Sequence, residues 1–227
     1  MKQFRKYFYI SFMITILIAL LSCSSGYNKH ADQYYAEGLL FFERMEYDNS
    51  IESFNKVLEL APYGKYNNIV YYNRGMAHLK NRQYDKSIYD FTKALELTSS
   101  GDKDLRFDIL TFRGEAYQKD DKLDHAINDY SEAIALIPDH KNIKHIYSSR
   151  AWIWYAKLDY TMAINDFSKA IGKDPQLDAA YYGRATVWFK KMDLQRALAD
   201  VKEALMLKPT NKKYEDLFFN IKSSMDQ

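Results

Sequence analysis

The sequence predicts an all-α chain: five helix hairpins stacked in a row, one further helix closing the end, and a short export segment in front. Three observations carry this expectation. Small residues return at one phase, as Gly38, Gly75, Gly114, Ala151 and Ala185, at intervals of 37, 39, 37 and 34 residues. Twelve positions after each comes Ser50, Ser87, Ala126, Ala163 or Ala197. Four further on lies Phe54, Phe91, Tyr130, Phe167 or Val201, and three beyond that Val57, Ala94, Ala133, Ala170 or Ala204, the i, i+4, i+7 spacing of one helix face. Each segment then meets Pro62, Ser99, Pro138, Pro175 or Pro209, where proline removes a backbone donor and stops the second helix.

The first element is the leader. Lys2, Arg5 and Lys6 precede fifteen uncharged residues, 7 to 21, and then Ser22, Cys23, Ser24, Ser25 and Gly26. A basic start, an apolar run and a small-residue exit form the pattern of an export signal, and the run is short of the about 20 residues of a membrane span. Leu20, Leu21, Ser22 and Cys23 resemble the lipobox of bacterial lipoproteins. That resemblance implies cleavage before Cys23, acylation of its thiol and anchorage to the lipid bilayer, with residues 1–22 as signal peptide and 23–30 as a lipidated tether. The other reading of Cys23 is a passive cysteine in a signal cut elsewhere or kept as an anchor. With two membranes in the source, Ser24 after the cysteine implies an outer-membrane address facing the periplasm.

Composition narrows the rest. Hydrophobic residues are 47% and aromatics 16% of 227 residues, with 8 Gly and 4 Pro, which excludes collagen-like and disordered chains. One Cys closes no intramolecular disulfide. Beyond residue 22 the charge is 29 Lys+Arg against 30 Asp+Glu, so the chain lacks the basic footprint of a nucleic-acid binder.

The hairpins follow from sterics. Glycine within a helix costs about 1 kcal/mol relative to alanine, and close approach of the facing helix returns it. Large side chains fill the flanks: Tyr34, Tyr71, Leu110, Tyr147 and Tyr181 four residues before the small position, and Phe41, His78, Tyr117, Trp154 and Trp188 three after it. This order of aromatic, small, aromatic, Ala, Phe or Tyr, Ala and Pro resembles the tetratricopeptide repeat. The resemblance covers residues 31–211, as repeats 31–64, 68–101, 107–140, 144–177 and 178–211, and implies a right-handed superhelical solenoid. His78, Val201 and Ser99 depart from its pattern. Residues 212–227 carry the apolar stripe Tyr214, Leu217, Phe218 and Ile221, as a capping helix and tail.

Catalytic chemistry has no foothold in this pattern. No phosphate loop, nucleophile elbow or metal-binding histidine motif occurs, and Asp139, His140 and His145 read as a solvated loop. The expectation is therefore no enzyme, no metal and no cofactor. Arg74, Arg113, Arg150 and Arg184 precede the small positions, and Asp90, Asp129, Asp166 and Asp200 follow each by 16 residues. They are either solvated charges or a ladder of partly buried ion pairs holding one helix against the other; the ladder is favoured, as structure rather than ligand site.

Function is then expected in the surface of the first helices. The groove positions of the tetratricopeptide repeat, carried onto this chain, point Tyr35, Leu39, Phe42, Tyr72, Asn73, Met76, Lys80, Trp152, Tyr155, Tyr182, Phe189 and Lys190 at a partner, about half of them expected to pack against neighbouring repeats instead. The Lys, Asn and Arg set by which some relatives hold acidic chaperone tails is missing, Asn73 being its one match. The chain thus reads as a membrane-anchored, periplasm-facing scaffold that binds a protein or peptide of unstated identity. The alternative is a self-assembling envelope component, a homo-oligomer, with an enzyme the weakest reading.

Overall fold

The computed structural model describes residues 29–226. The leader, Cys23 and residues 24–28 lie outside the described residues. Within them the chain forms eleven α-helices and no strand: α1 (Lys29–Glu43), α2 (Tyr47–Leu60), α3 (Asn67–Lys80), α4 (Tyr84–Leu97), α5 (Lys103–Lys119), α6 (Leu123–Leu136), α7 (Ile143–Ala156), α8 (Tyr160–Lys173), α9 (Asp178–Lys190), α10 (Leu194–Leu207) and α11 (Lys212–Met225). α1 opens at Lys29, inside the stretch expected to be tether, and Asp32 sits favourably in its first turn.

The molecule divides within α5 into two compact units, one ending at Ala116 and one beginning at Tyr117. In the first, α1 pairs with α2 and α3 with α4, and α3 also packs on α2. The small positions work by contact. A Cβ built on Gly38 would lie 2.7 Å from the Phe54 ring, so α1 and α2 approach only because Gly38 has none. Ser50 and Ser87 each donate a hydroxyl across the hairpin, to the carbonyls of Gly38 (2.8 Å) and Gly75 (2.9 Å), which accounts for serine in these two repeats. Leu79, Phe91, Ala94, Ile109 and Ala116 form a further buried cluster.

In the second unit α7 pairs with α8 and α9 with α10, α6 lies against α7, and α11 covers α10 and touches α9. Ala185, Ala197, Val201 and Ala204 bury with Tyr214, Leu217 and Ile221 of α11 into one core, so the terminal helix uses the stripe seen in the sequence. Val201, the departure from Phe or Tyr, is fully buried.

Each turn from first to second helix of a hairpin contains one residue in the left-handed region: Met45, Arg82, Asp121, Leu158 and Met192, with φ between 59° and 63°. None is glycine, the residue that takes this conformation without Cβ strain.

Candidate functional site

Arginine–aspartate pairs join the two helices of a hairpin. Arg74 donates Nε and Nη2 to the two carboxylate oxygens of Asp90 at 2.8 and 2.7 Å, Arg150 does so to Asp166 at 2.7 and 2.9 Å, and Arg184 to Asp200 at 2.7 and 2.8 Å. Asp90 and Asp166 are buried, at 1% and 0% side-chain exposure. Arg113 and Asp129 fall in different units. The remaining arginine nitrogen, Nη1, reaches the preceding repeat: Arg74 to Asn55 (2.7 Å), Arg113 to Thr92 (3.1 Å), Arg150 to Ser131 (2.7 Å) and Arg184 to Ser168 (2.9 Å). These four acceptors directly follow Phe54, Phe91, Tyr130 and Phe167, a recurrence the sequence reading missed because their chemistry varies among amide and hydroxyl. Tyr71, Tyr147 and Tyr181 lie under the guanidinium groups of Arg74, Arg150 and Arg184 at 5.3, 5.8 and 5.9 Å, which adds a cation–π contact to each fork.

In the first unit the residues expected to face a partner are largely spent on one another. Tyr35 is only 7% exposed, its ring 5.9 Å from that of Phe54. Its hydroxyl accepts from the Asn73 side-chain amide at 2.9 Å. The two join α1 to α3, because a tyrosine and an amide meeting across two first helices satisfy each other. Tyr72 is wedged between Phe91 and Phe112 at 6.0 and 6.1 Å. Phe42 stands edge-on to Tyr47 at 5.6 Å, Leu39 and Met76 back onto their core clusters, and Lys80 is exposed.

The second unit differs. Trp152 stands edge-on to Tyr155 at 5.7 Å and to the buried Phe167 at 5.2 Å. Tyr155 continues to Tyr160 at 5.9 Å, and Trp152 to Tyr182 at 6.3 Å. Tyr182 stacks on Tyr214 of α11 at 4.8 Å, and the Tyr214 hydroxyl donates to Asp178 at 2.6 Å. The result is a continuous aromatic strip whose rings at Trp152, Tyr155, Tyr160 and Tyr182 are half-buried, ended by the buried Tyr214. Phe189 is half-buried against the α9–α11 core, and Lys190 is exposed at the end of α9. Burial, with the neighbouring Tyr160 and Tyr182, raises the Tyr155 pKa, so its hydroxyl remains a donor through neutral pH. Tyr160 was missed by the sequence reading because it belongs to α8, outside the first helices to which groove positions were assigned.

A cleft of about 410 Å³ opens in the first unit between α2 and the α3–α4 hairpin, over Asn55, Arg74, His78, Lys86 and Asp90. His78 stands here where the other repeats have Phe41, Tyr117, Trp154 and Trp188; in the fifth repeat Arg196 stacks on Trp188 at 3.8 Å. His78 is 6% exposed, with Nδ1 2.8 Å from the Gln83 side-chain oxygen. Among the described residues no group of three or more His, Cys, Asp or Glu is placed to hold a metal ion.

The comparisons agree with this geometry. Models of the tetratricopeptide repeat match residues 31–63, 69–98 and 107–140. Over these segments the chain is built of tetratricopeptide repeats. This repeat is a non-catalytic interaction module. No curated protein sequence matches the chain. Among solved structures, a tetratricopeptide repeat protein from Parabacteroides merdae has a TM-score of 0.75 at 15% identity, covering 88% of this chain and 75% of that one. MamA has a TM-score of 0.69 at 21% identity, over 82% and 96% of the two chains. YrrB, described as having an unusual peptide-binding site, has a TM-score of 0.65 at 18% identity, over 84% and 90%. These likenesses are of fold.

Proposed function

We propose that this protein is a scaffold held at an envelope membrane, facing the periplasm of an outer membrane, through acylated Cys23, and that it binds a protein or peptide along the aromatic strip of α7 and α9. The single observation that carries the binding reading is the strip itself: Trp152 contacts both Tyr155 and Tyr182, and all three are half-buried, so each rests on the core by one side and keeps ring surface open on the other. Aromatic anchors in such settings concentrate interface energy, often about 2 kcal/mol or more for each side chain truncated. YrrB, similar in fold, has an unusual peptide-binding site, which is consistent with this use of the fold. The tether rests on the lipobox resemblance of Leu20, Leu21, Ser22 and Cys23 alone.

Crosslinking and affinity capture from detergent-extracted membranes test the reading. Trp152→Ala with Tyr155→Ala should abolish capture of a specific partner while helicity is retained and melting falls only by the loss of the Trp152 packing on Phe167. Lys202→Ala with Glu203→Ala, two exposed positions on α10, should leave capture intact. Equal capture by both double variants would remove the strip from consideration. For the tether, Cys23→Ser should lose incorporated fatty acid, and retained label would overturn it.

A further inference from the structure

We infer that the occupant of the α7–α9 strip is an uncharged, proline-rich segment in the polyproline II conformation; this rests on the binding reading above and names its ligand chemistry.

Charge is the first argument. Of the charged residues on α7 and α9, Lys144 is paired with Asp174 at 2.6 Å, Arg150 and Arg184 with Asp166 and Asp200, and Asp178 accepts from Tyr214. That leaves Lys190 exposed at the far end of α9, and charge returns on α11 with exposed Lys213 and Asp216. A charged peptide laid along the strip would lose hydration without gaining a counter-charge over the rings.

Spacing is the second. Neighbouring rings from Tyr160 through Tyr155 and Trp152 to Tyr182 are 5.7 to 6.3 Å apart. A polyproline II chain rises about 3.1 Å per residue, so two residues advance about one ring along the strip. Each gap between rings therefore matches one dipeptide containing a proline, whose flat, weakly hydrated ring packs well on an aromatic face.

Hydrogen bonding is the third. The Ser148 hydroxyl donates to the Lys144 carbonyl at 3.0 Å and the Thr186 hydroxyl to the Tyr182 carbonyl at 2.9 Å, both turned back into their own helices. The strip then offers phenol hydroxyls at Tyr155, Tyr160 and Tyr182, each able to donate its one proton, and their oxygens are the few acceptors there. A polyproline segment presents backbone carbonyls outward and lacks N–H at each proline, so donors on the protein and acceptors on the ligand are matched. An ordinary extended peptide would bring N–H groups with few acceptors to receive them.

The test uses the full chain in detergent, with tryptophan fluorescence and calorimetry, against four probes: decaproline, an alanine–serine decapeptide, an acidic decapeptide and an N-acetylglucosamine oligomer. Saturable binding of decaproline is expected, weakened about tenfold or more by Trp152→Ala and in part by Tyr155→Phe, which keeps the ring and removes the donor. Raising salt from about 50 to about 500 mM, or replacing Lys190 by Ala, should change affinity by less than about twofold. If Trp152→Ala melts early, Tyr155→Phe and the salt series decide. Failure of decaproline to saturate, indifference to Tyr155→Phe, steep loss with salt, or preference for any other probe overturns the inference. If decaproline fails while partner capture still depends on Trp152 and Tyr155, the polyproline class is wrong and the strip stands; if both fail, the strip falls too.

Discussion

Three helical glycines, Gly183, Gly75 and Gly172, should respond to one added methyl in three different ways. A Cβ on Gly183 would lie 2.3 Å from Cε1 and Cζ of Phe167. Carbon–carbon contacts are favourable at about 3.5 to 4.0 Å, so the ring must move by more than about 1 Å. It has nowhere to go, being fully buried with Trp152 packed edge-on at 5.2 Å. Overpacking of this kind costs about 3 kcal/mol at the upper end of its usual range, and the helix propensity of alanine returns about 1, which leaves Gly183→Ala destabilised by about 2 kcal/mol. For a protein of this size that is a loss of about 4 to 8 °C in melting temperature. At Gly75 the new Cβ would meet Phe91 at 3.1 Å, so a shift of a few tenths of an ångström offsets the propensity gain and Gly75→Ala should be close to neutral. At Gly172, near the end of α8, nothing lies within 4 Å, and Gly172→Ala should stabilise by about 0.5 to 1 kcal/mol. Thermal and urea melts followed by circular dichroism read the series. Gly183→Ala melting at or above the parent would refute the close approach of α9 to Phe167.

Other consequences are as direct. Leu158→Gly and Met192→Gly should each stabilise by about 0.5 to 1 kcal/mol, since exposed non-glycine residues hold φ of 63° and 61° there; Asp121→Gly should gain less, because aspartate tolerates this region better, and urea melts would show the order. Arg150→Ala should cost about 3 to 5 kcal/mol by leaving the fully buried Asp166 carboxylate unpaired, while Arg150→Met with Asp166→Leu should recover most of the loss; equal melts for the single and double variants would contradict this account. Burial, partly opposed by the Gln83 hydrogen bond and Asp90, holds the His78 pKa below its ordinary 6.5. The unfolded chain then takes up the proton first, so this contribution to stability is constant above about pH 6.5 and declines as pH falls below it. Replacing His78 by Tyr should flatten that part of a pH series of urea melts and fill the cleft.

How much of this was legible depends on whether a residue's role repeats. The small positions and their facing aromatics recur because every hairpin needs the same close approach, so Gly38 and Phe54, or Gly75 and Phe91, could be paired from spacing alone. The terminal helix was legible for a related reason, as its stripe must cover an open core. Gly183 was not. Its counterparts are Ala36, Asn73, Phe112 and Ser149, and its requirement comes from Phe167 of the preceding repeat rather than from its own hairpin. The third bond of each arginine was hidden in the same way, because an amide and three hydroxyls serve equally well as acceptors for one N–H.

Repetition explains the scaffold, and departures from it explain why the strip lies on α7 and α9. Where the first unit places Tyr35 and Asn73, the corresponding residues of the fourth and fifth repeats are Ser148 and Gly183. In the first unit the larger pair meet through a hydrogen bond and close the surface between α1 and α3. In the second unit the smaller pair makes no such bond: the Phe167 ring comes up against Gly183, and Trp152, which stands where the first two repeats have Leu39 and Met76, lies edge-on over Phe167 and within reach of Tyr182. The ring is thus supported from below and from one side. A side chain so braced loses little further freedom when a ligand covers it, which favours binding by rigid aromatic surface over binding by flexible charged side chains. The same bracing ties Gly183 to function: a methyl there would push Phe167 toward Trp152, so Gly183→Ala should weaken ligand binding as well as the fold, although residue 183 itself is buried beneath the strip.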